Sequence, residues 1–198
     1  GSSTNDLGLG ILEGMGAKFY RDGEELRRLT LKDFDKITGM DLSAVYALTA
    51  GIRFTTLTDV TNPLLGENGA TYIYGEQKGI KKADMPTVDR LLAAVKEKVA
   101  AVTGRDPADR PGSGAAGGVG FIMQSVFGSD VKSGIDELLT AIRFADKVRG
   151  YDVVITGEGC FDSQSLNGKV ISGIRKYDVK KLIIISAVKK IEYENAYS

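Results

Sequence analysis

Apolar residues recur at helical spacing through Val88, Leu91, Leu92, Val95, Val99 and Val102, with Lys96, Glu97 and Lys98 falling between them. The pattern predicts an amphipathic helix that opens at Asp84 or Thr87 and stops at Gly104. A second helical period, Val131, Ile135, Leu138, Leu139, Ile142, Ala145 and Val148, predicts another long helix, with Asp130 or Ser133 as its cap and Gly150 as its stop. Strand signals are shorter. Residues 52–59 alternate and are rich in β-formers, residues 69–75 form a second candidate, and Tyr151 to Ile155 is a β-branched run that Thr156-Gly157-Glu158-Gly159 is expected to end. Leu182-Ile-Ile-Ile185, within 181–187, has the continuous apolar character of a buried parallel strand. The remaining segments read as local structure. Arg21-Asp22-Gly23-Glu24 is a hairpin turn between 17–20 and 25–29; Thr30 caps a short helix through Ile37 and Asp41 another through Tyr46; Ser3, Thr4 or Asn5 caps a helix carrying Leu7 to Met15.

From Tyr151 to Ala187 the order is strand, loop, short helix over 168–177, strand, which predicts an α/β fold with a parallel sheet. In open sheets of this kind ligands gather beyond the carboxyl ends of the strands. Here Glu158, Asp162, Gln164 and Lys169 would line that point. Two carboxylates, an amide and an ammonium suit Mg²⁺ and a phosphate. The run Gly112-Ser-Gly-Ala-Ala-Gly-Gly-Val-Gly120 formally contains the dinucleotide spacing, but residues 105–111, with two prolines, are no strand, so a Rossmann oxidoreductase is rejected. Small residues there still permit close backbone approach, either to a ligand or to a neighbouring helix. Asn62-Pro63 by itself reads as a turn after a strand, and Lys78 as a loop lysine. Gly168-Lys169 is not a Walker loop, because no glycine stands five positions before Gly168.

With 198 residues, 42% of them hydrophobic, the chain can bury a core, and its 26 basic and 26 acidic residues cancel. A neutral balance argues against nucleic acid or a membrane surface as partner, and the apolar runs are too short for a bilayer span. A single cysteine, Cys160, fits a reducing, cytoplasmic setting. The chain has no histidine, which removes Ser-His-Asp and Cys-His machinery, His-ligated zinc and a histidine base. Phosphoryl transfer is compatible with what is left, since it rests on positioning and charge neutralisation.

Four motifs carry a resemblance: Gly1-Ser-Ser-Thr-Asn-Asp6; Asp59-Val-Thr-Asn62-Pro-Leu-Leu-Gly66 with Tyr74-Gly-Glu-Gln-Lys78-Gly79; Pro111-Gly-Ser-Gly-Ala-Ala-Gly-Gly-Val-Gly120; and Thr156-Gly-Glu-Gly159 followed by Asp162, Gln164, Ser165, Gly168 and Lys169. In this order and spacing the chain resembles the glycerate kinase family, departing from its pattern at Leu7, Tyr74 and Ile171. The resemblance implies a two-domain fold, with a mixed α/β inserted domain over 1–150 and the start of a Rossmann-like parallel-sheet domain over 151–198, the chain being an internal piece of it. It also implies ATP and Mg²⁺ as cofactors and D-glycerate as the small-molecule substrate, phosphorylated at its 2-hydroxyl to give 2-phosphoglycerate.

On that template Glu158 and Asp162 hold Mg²⁺ or accept the substrate proton, and Asp59 and Lys169 complete the catalytic set. Ser3, Thr4, Asn5, Asp6, Asn62 and Gln164 bind the acid. Lys78, Gly112, Gly114, Ala115, Gly117 and Gly118 bind phosphate or nucleotide. The expected assembly is a monomer or homodimer. Two other readings stay open at this level: a catalytically incomplete piece, or an unrelated α/β module that binds a nucleotide or anion without turnover.

Overall fold

A computed structural model describes residues 2–162, 165 and 170–197. It forms a mixed α/β structure in two compact units, Gly1–Val131 and Lys132–Ser198. The division falls ahead of the 150/151 boundary expected above, because Ile135 and Leu139 pack with Ile174 in the second unit.

The first unit runs α1 (Leu9–Gly14), β1 (Lys18–Arg21), β2 (Glu24–Leu26), a 3₁₀ turn (Leu31–Lys36), β3 (Gly39–Asp41), α2 (Ser43–Leu48), β4 (Thr55–Leu57), α3 (Ala70–Tyr74), α4 (Met85–Thr103), α5 (Val119–Ser125) and β5 (Asp130–Lys132), the last straddling the unit boundary. Strands β2, β1 and β3 form an antiparallel sheet, and β4 pairs with β5. The β1–β2 hairpin turns at Asp22 and Gly23, both at positive φ, as the Asp-Gly pair demands. The 3₁₀ turn has the predicted cap, with Thr30 and Asp33 bonded reciprocally. Helix α4 matches its predicted span and closes on Gly104 in the left-handed conformation. Its stripe of Val88, Leu92, Val95 and Val99 lies in one core with Leu12, Phe19, Phe34, Val45, Phe121 and Ile122. Each such side chain, fully buried, contributes roughly 1.5–3 kcal/mol, so this packing outweighs the exposed ion pairs, which are worth about 0–1 kcal/mol apiece.

The second unit runs α6 (Gly134–Ala141), α7 (Phe144–Val148), β6 (Val153–Phe161), α8 (Val170–Ile174), β7 (Lys181–Lys189) and β8 (Ala196–Tyr197). Its sheet has the order β6-β7-β8 and is parallel throughout, with Val154 opposite Leu182 and Ile184 opposite Ala196. Phe161, Ile171, Ile184 and Ala196 form one core cluster, and Ile135, Leu139 and Ile174 another against Val154 and Leu182. Ile155, Ile185 and Tyr197, which alternate with the packed positions, are exposed.

Five local expectations are corrected. Residues 69–75 are not a strand: α3 occupies 70–74, because burial recurs at Ala70, Thr71 and Gly75, a helical spacing that overrides the β-propensity of Thr-Tyr-Ile-Tyr. The 131–148 period is not one helix. Ser133 does cap α6, but Arg143 takes a left-handed φ of 54° and separates α6 from α7. The strand over 52–59 shortens to β4 at 55–57. Strand β6 continues through Gly157 and Gly159 to Phe161, because β7 offers a parallel partner along that length, Glu158 standing opposite Ser186. At the start of the chain, Ser3, Thr4 and Asn5 cap no helix; α1 follows Gly8, whose N–H donates to Asp6 Oδ1 at 2.9 Å.

Candidate functional site

In the first unit the glycine-rich loop is the meeting point of three of the motifs. Gly117 lies against the backbone of residues 4 and 5: a Cβ added there would stand 2.1 Å from the Thr4 carbonyl oxygen and 2.5 Å from Asn5 Cα. The Leu7 N–H donates to the Gly117 carbonyl at 3.0 Å, which ties the two segments. Gly114 faces the other way, with its hypothetical Cβ 2.2 Å from the Pro63 carbonyl oxygen, and its N–H donates to the Asn62 carbonyl at 3.0 Å. Gly118 abuts Leu7 and Leu64, and Gly112, at φ +84°, abuts Thr58 and Val131. The absence of side chains thus serves close approach of protein to protein. The N–H groups of Gly114 and Ala115 are committed within the protein, the latter to the Gly112 carbonyl at 3.0 Å.

This junction places the predicted residues of the first motif. Thr4 donates its hydroxyl to Asp6 Oδ1, the same oxygen that accepts from Gly8. Asn5 is buried and donates from Nδ2 to Thr71 Oγ1 at 3.0 Å, while its Oδ1, also buried, has no hydrogen-bond partner among the described residues. Beside them opens a cavity of about 440 Å³ lined by Ser2, Ser3, Val60, Tyr74, Gln77, Lys78 and Ala116. Burial pulls the Lys78 ammonium below the ordinary lysine pKa, and the Asp6 carboxylate acts in the opposite direction. Tyr74 donates to Asn62 Oδ1 at 2.7 Å, and Asn62 donates from Nδ2 to the Asn68 carbonyl at 2.9 Å. Burial raises the Tyr74 pKa, so its phenol stays protonated at neutral pH. Asp59 is exposed on the loop after β4 and is not among the residues lining this cavity.

The second unit carries the acidic pair at the carboxyl end of β6. Ser165 is fully buried and bonds to both: its hydroxyl donates to Glu158 Oε2, and its N–H donates to Asp162 Oδ1 at 3.2 Å and to the Asp162 carbonyl at 3.0 Å. The Asp162 N–H returns a bond to Ser165 Oγ at 3.2 Å. One serine therefore draws both carboxylates to itself. Gln164 and Lys169 lie outside the described residues. Among the described residues, no three His, Cys, Asp or Glu side chains converge to hold a metal ion by themselves. Mg²⁺ commonly takes only one or two carboxylates, completing its shell with water and substrate phosphates, so the donor set of Glu158 and Asp162 fits it.

Sequence reasoning passed over three contributors. Ser165 stood in the quoted motif without a role; its position three residues after Asp162, where a short polar side chain bonds back to the backbone, was the available signal. Ser2 is the other half of a Ser-Ser pair of which only Ser3 was taken. Tyr74 was noted only as a departure from a pattern, and its contact with Asn62 spans 12 residues that no local rule connects.

The sequence profile of the Glycerate kinase family matches residues 1–196. The chain is 39% identical over 180 residues to the glycerate 2-kinase of Escherichia coli K12, covering 88% of this chain and 46% of that protein. It is 31% identical over 194 residues to the glycerate kinase of Bacillus subtilis 168, covering 96% and 51% respectively. Among solved structures, a protein from Salmonella typhimurium LT2 assigned as a glycerate kinase 2 superposes with a TM-score of 0.79 at 29% identity, over 100% of this chain and 54% of that one. The chain spans about half the length of the relatives it matches. Among the described residues, no helix is long and apolar enough to cross a membrane.

Proposed function

Because this chain belongs to the glycerate kinase family, we propose that the protein transfers the γ-phosphoryl group of ATP to the 2-hydroxyl of D-glycerate, giving 2-phosphoglycerate, in the cytoplasm. The observation that carries the chemistry is the Ser165-tethered carboxylate pair at the end of a parallel strand. Glu158 and Asp162 would hold Mg²⁺, which when bound offsets the charge of the transferring phosphate. Ser165 fixes the two carboxylates before any ligand arrives, so little reorganisation remains for the reaction. Either carboxylate can also accept the proton leaving the attacking hydroxyl. Ser2 and Ser3 would hold the acid in the cavity of the first unit, and Lys78 would neutralise phosphate charge. The neutral charge balance supports a small-molecule substrate rather than nucleic acid, and we assign the working form as a monomer or homodimer.

Glycerate-dependent ATP consumption, with the product identified by phosphorus NMR, tests this reading. Asp162→Asn should lower turnover by about 10²-fold or more while leaving the thermal unfolding midpoint unchanged. Full activity in that variant would remove Asp162 from the mechanism, and no glycerate-dependent consumption in the native protein would refute the assignment.

A further inference from the structure

We propose that the cavity of the first unit binds the organic acid without nucleotide or metal, and that Tyr74 makes it select a hydroxylated acid over a plain carboxylate. This deepens the function proposed above and rests on it. It also moves Lys78 from a phosphate ligand to a carboxylate ligand.

Charge is the first argument. Among the described residues, Lys78 is the one charged side chain lining the cavity; its other polar lining groups, Ser2, Ser3, Tyr74 and Gln77, are neutral. One ammonium among hydroxyls and an amide matches a monoanion. Phosphoryl groups are held by several cations or by converging backbone N–H groups, whereas this wall carries a single ammonium, and the nearby Gly114 and Ala115 N–H groups are bonded to the Asn62 and Gly112 carbonyls. The Asp6 carboxylate, which attracts Lys78, is anchored through its Oδ1 by the Thr4 hydroxyl and the Gly8 N–H.

Proton direction is the second. Asn62 donates from Nδ2 to the Asn68 carbonyl, an atom that only accepts, so its Oδ1 is the end facing Tyr74. The Tyr74 proton is therefore committed to Asn62, and the phenol oxygen retains only lone pairs. A partner for those lone pairs must bring its own proton. A hydroxyl on the ligand does; a methyl group does not.

Titration calorimetry of the full 198-residue chain, without ATP or Mg²⁺, tests this with D-glycerate, propanoate and inorganic phosphate as probes. D-glycerate should bind at least about 5-fold more tightly than propanoate, which has the same carbon chain and no hydroxyl, and more tightly than phosphate. Lys78→Gln should weaken glycerate by roughly 10-fold or more, as for a hydrogen bond to a charged group, whereas Lys78→Arg should retain most of the binding. Tyr74→Phe should lower the glycerate-to-propanoate preference about 2–10-fold and leave propanoate itself unchanged.

Tighter binding of phosphate than glycerate, equal binding of glycerate and propanoate, or a Tyr74→Phe change that weakens both acids alike would each overturn the inference, the last by reducing Tyr74 to a structural role. If glycerate is phosphorylated but its affinity ignores Lys78, this inference alone fails. If glycerate is neither bound nor phosphorylated, the function proposed above fails with it.

Discussion

Gly117→Ala isolates the backbone contact on which the first-unit site is built. Gly117 sits at φ +66°, and an alanine Cβ there would lie 2.1 Å from the Thr4 carbonyl oxygen and 2.7 Å from the Thr4 carbonyl carbon. Holding an alanine in the left-handed region costs roughly 1–2 kcal/mol. The clash is with backbone atoms that cannot rotate away, and overpacking of that kind costs typically 1–3 kcal/mol. The expected loss is therefore about 2–5 kcal/mol, a large share of the roughly 5–15 kcal/mol that stabilises an ordinary domain. The chain has no tryptophan, so urea unfolding is followed by far-ultraviolet circular dichroism, with hydrogen exchange of the Leu7 amide, which donates to the Gly117 carbonyl, as the local reporter. The same chemical change at Gly10 is the control. That residue lies within α1 with nothing inside 4 Å of an added Cβ, and Gly10→Ala should stabilise by about 0.5–1 kcal/mol. If Gly117→Ala falls within about 0.5 kcal/mol of the native protein with an unchanged Leu7 exchange rate, the close approach of loop and first motif is not a determinant of the fold and the reasoning is wrong.

Three further outcomes are expected. Ser165→Ala should weaken MgATP binding at least about 10-fold, as loss of a ligand-orienting partner does, without altering glycerate affinity; unchanged MgATP affinity by calorimetry would show that the serine does not organise the carboxylates. Burial raises the Asp89 carboxyl above its ordinary pKa, against the pull of the Gly66 N–H. The folded state then holds the proton more tightly than the unfolded one, so stability falls as pH rises from the unfolded pKa through the folded one. Asp89→Asn should raise the melting temperature at pH 7, with the advantage vanishing below the ordinary carboxylate range, and a gain that is constant with pH would contradict this. Ser125 buries its hydroxyl with no partner among the described residues, so Ser125→Ala should stabilise by about 1 kcal/mol in urea unfolding; destabilisation would reveal an unrecognised partner.

Elements whose determinants lie close together in the chain were legible in sequence. The α4 stripe, its Gly104 stop, the Asp22-Gly23 hairpin and the Thr30 cap rest on interactions within a few residues, and all formed. Elements decided by distant partners were not. Strand β6 passes through two glycines because β7, more than 20 residues later, completes its ladder, and α3 forms because Ala70, Thr71 and Gly75 are buried by the rest of the first unit. The same division runs through the site. Motif spacing singles out Glu158, Asp162 and Lys78 as candidates, but Ser165's hold on both carboxylates depends on the path the chain takes after β6, and Tyr74's hold on Asn62 depends on a helix that the local pattern denied.

By itself, then, the sequence determined the α/β class and the inventory of groups, without histidine in these 198 residues, that suit phosphoryl transfer. Tertiary structure decided what those groups do to one another. It packs the glycine loop, one side against Thr4-Asn5 and the other against Asn62-Pro63. The physical reason is that a glycine only removes a side chain. Whether a ligand or another stretch of backbone fills the space is settled by contacts between residues far apart in the chain, which no local pattern records.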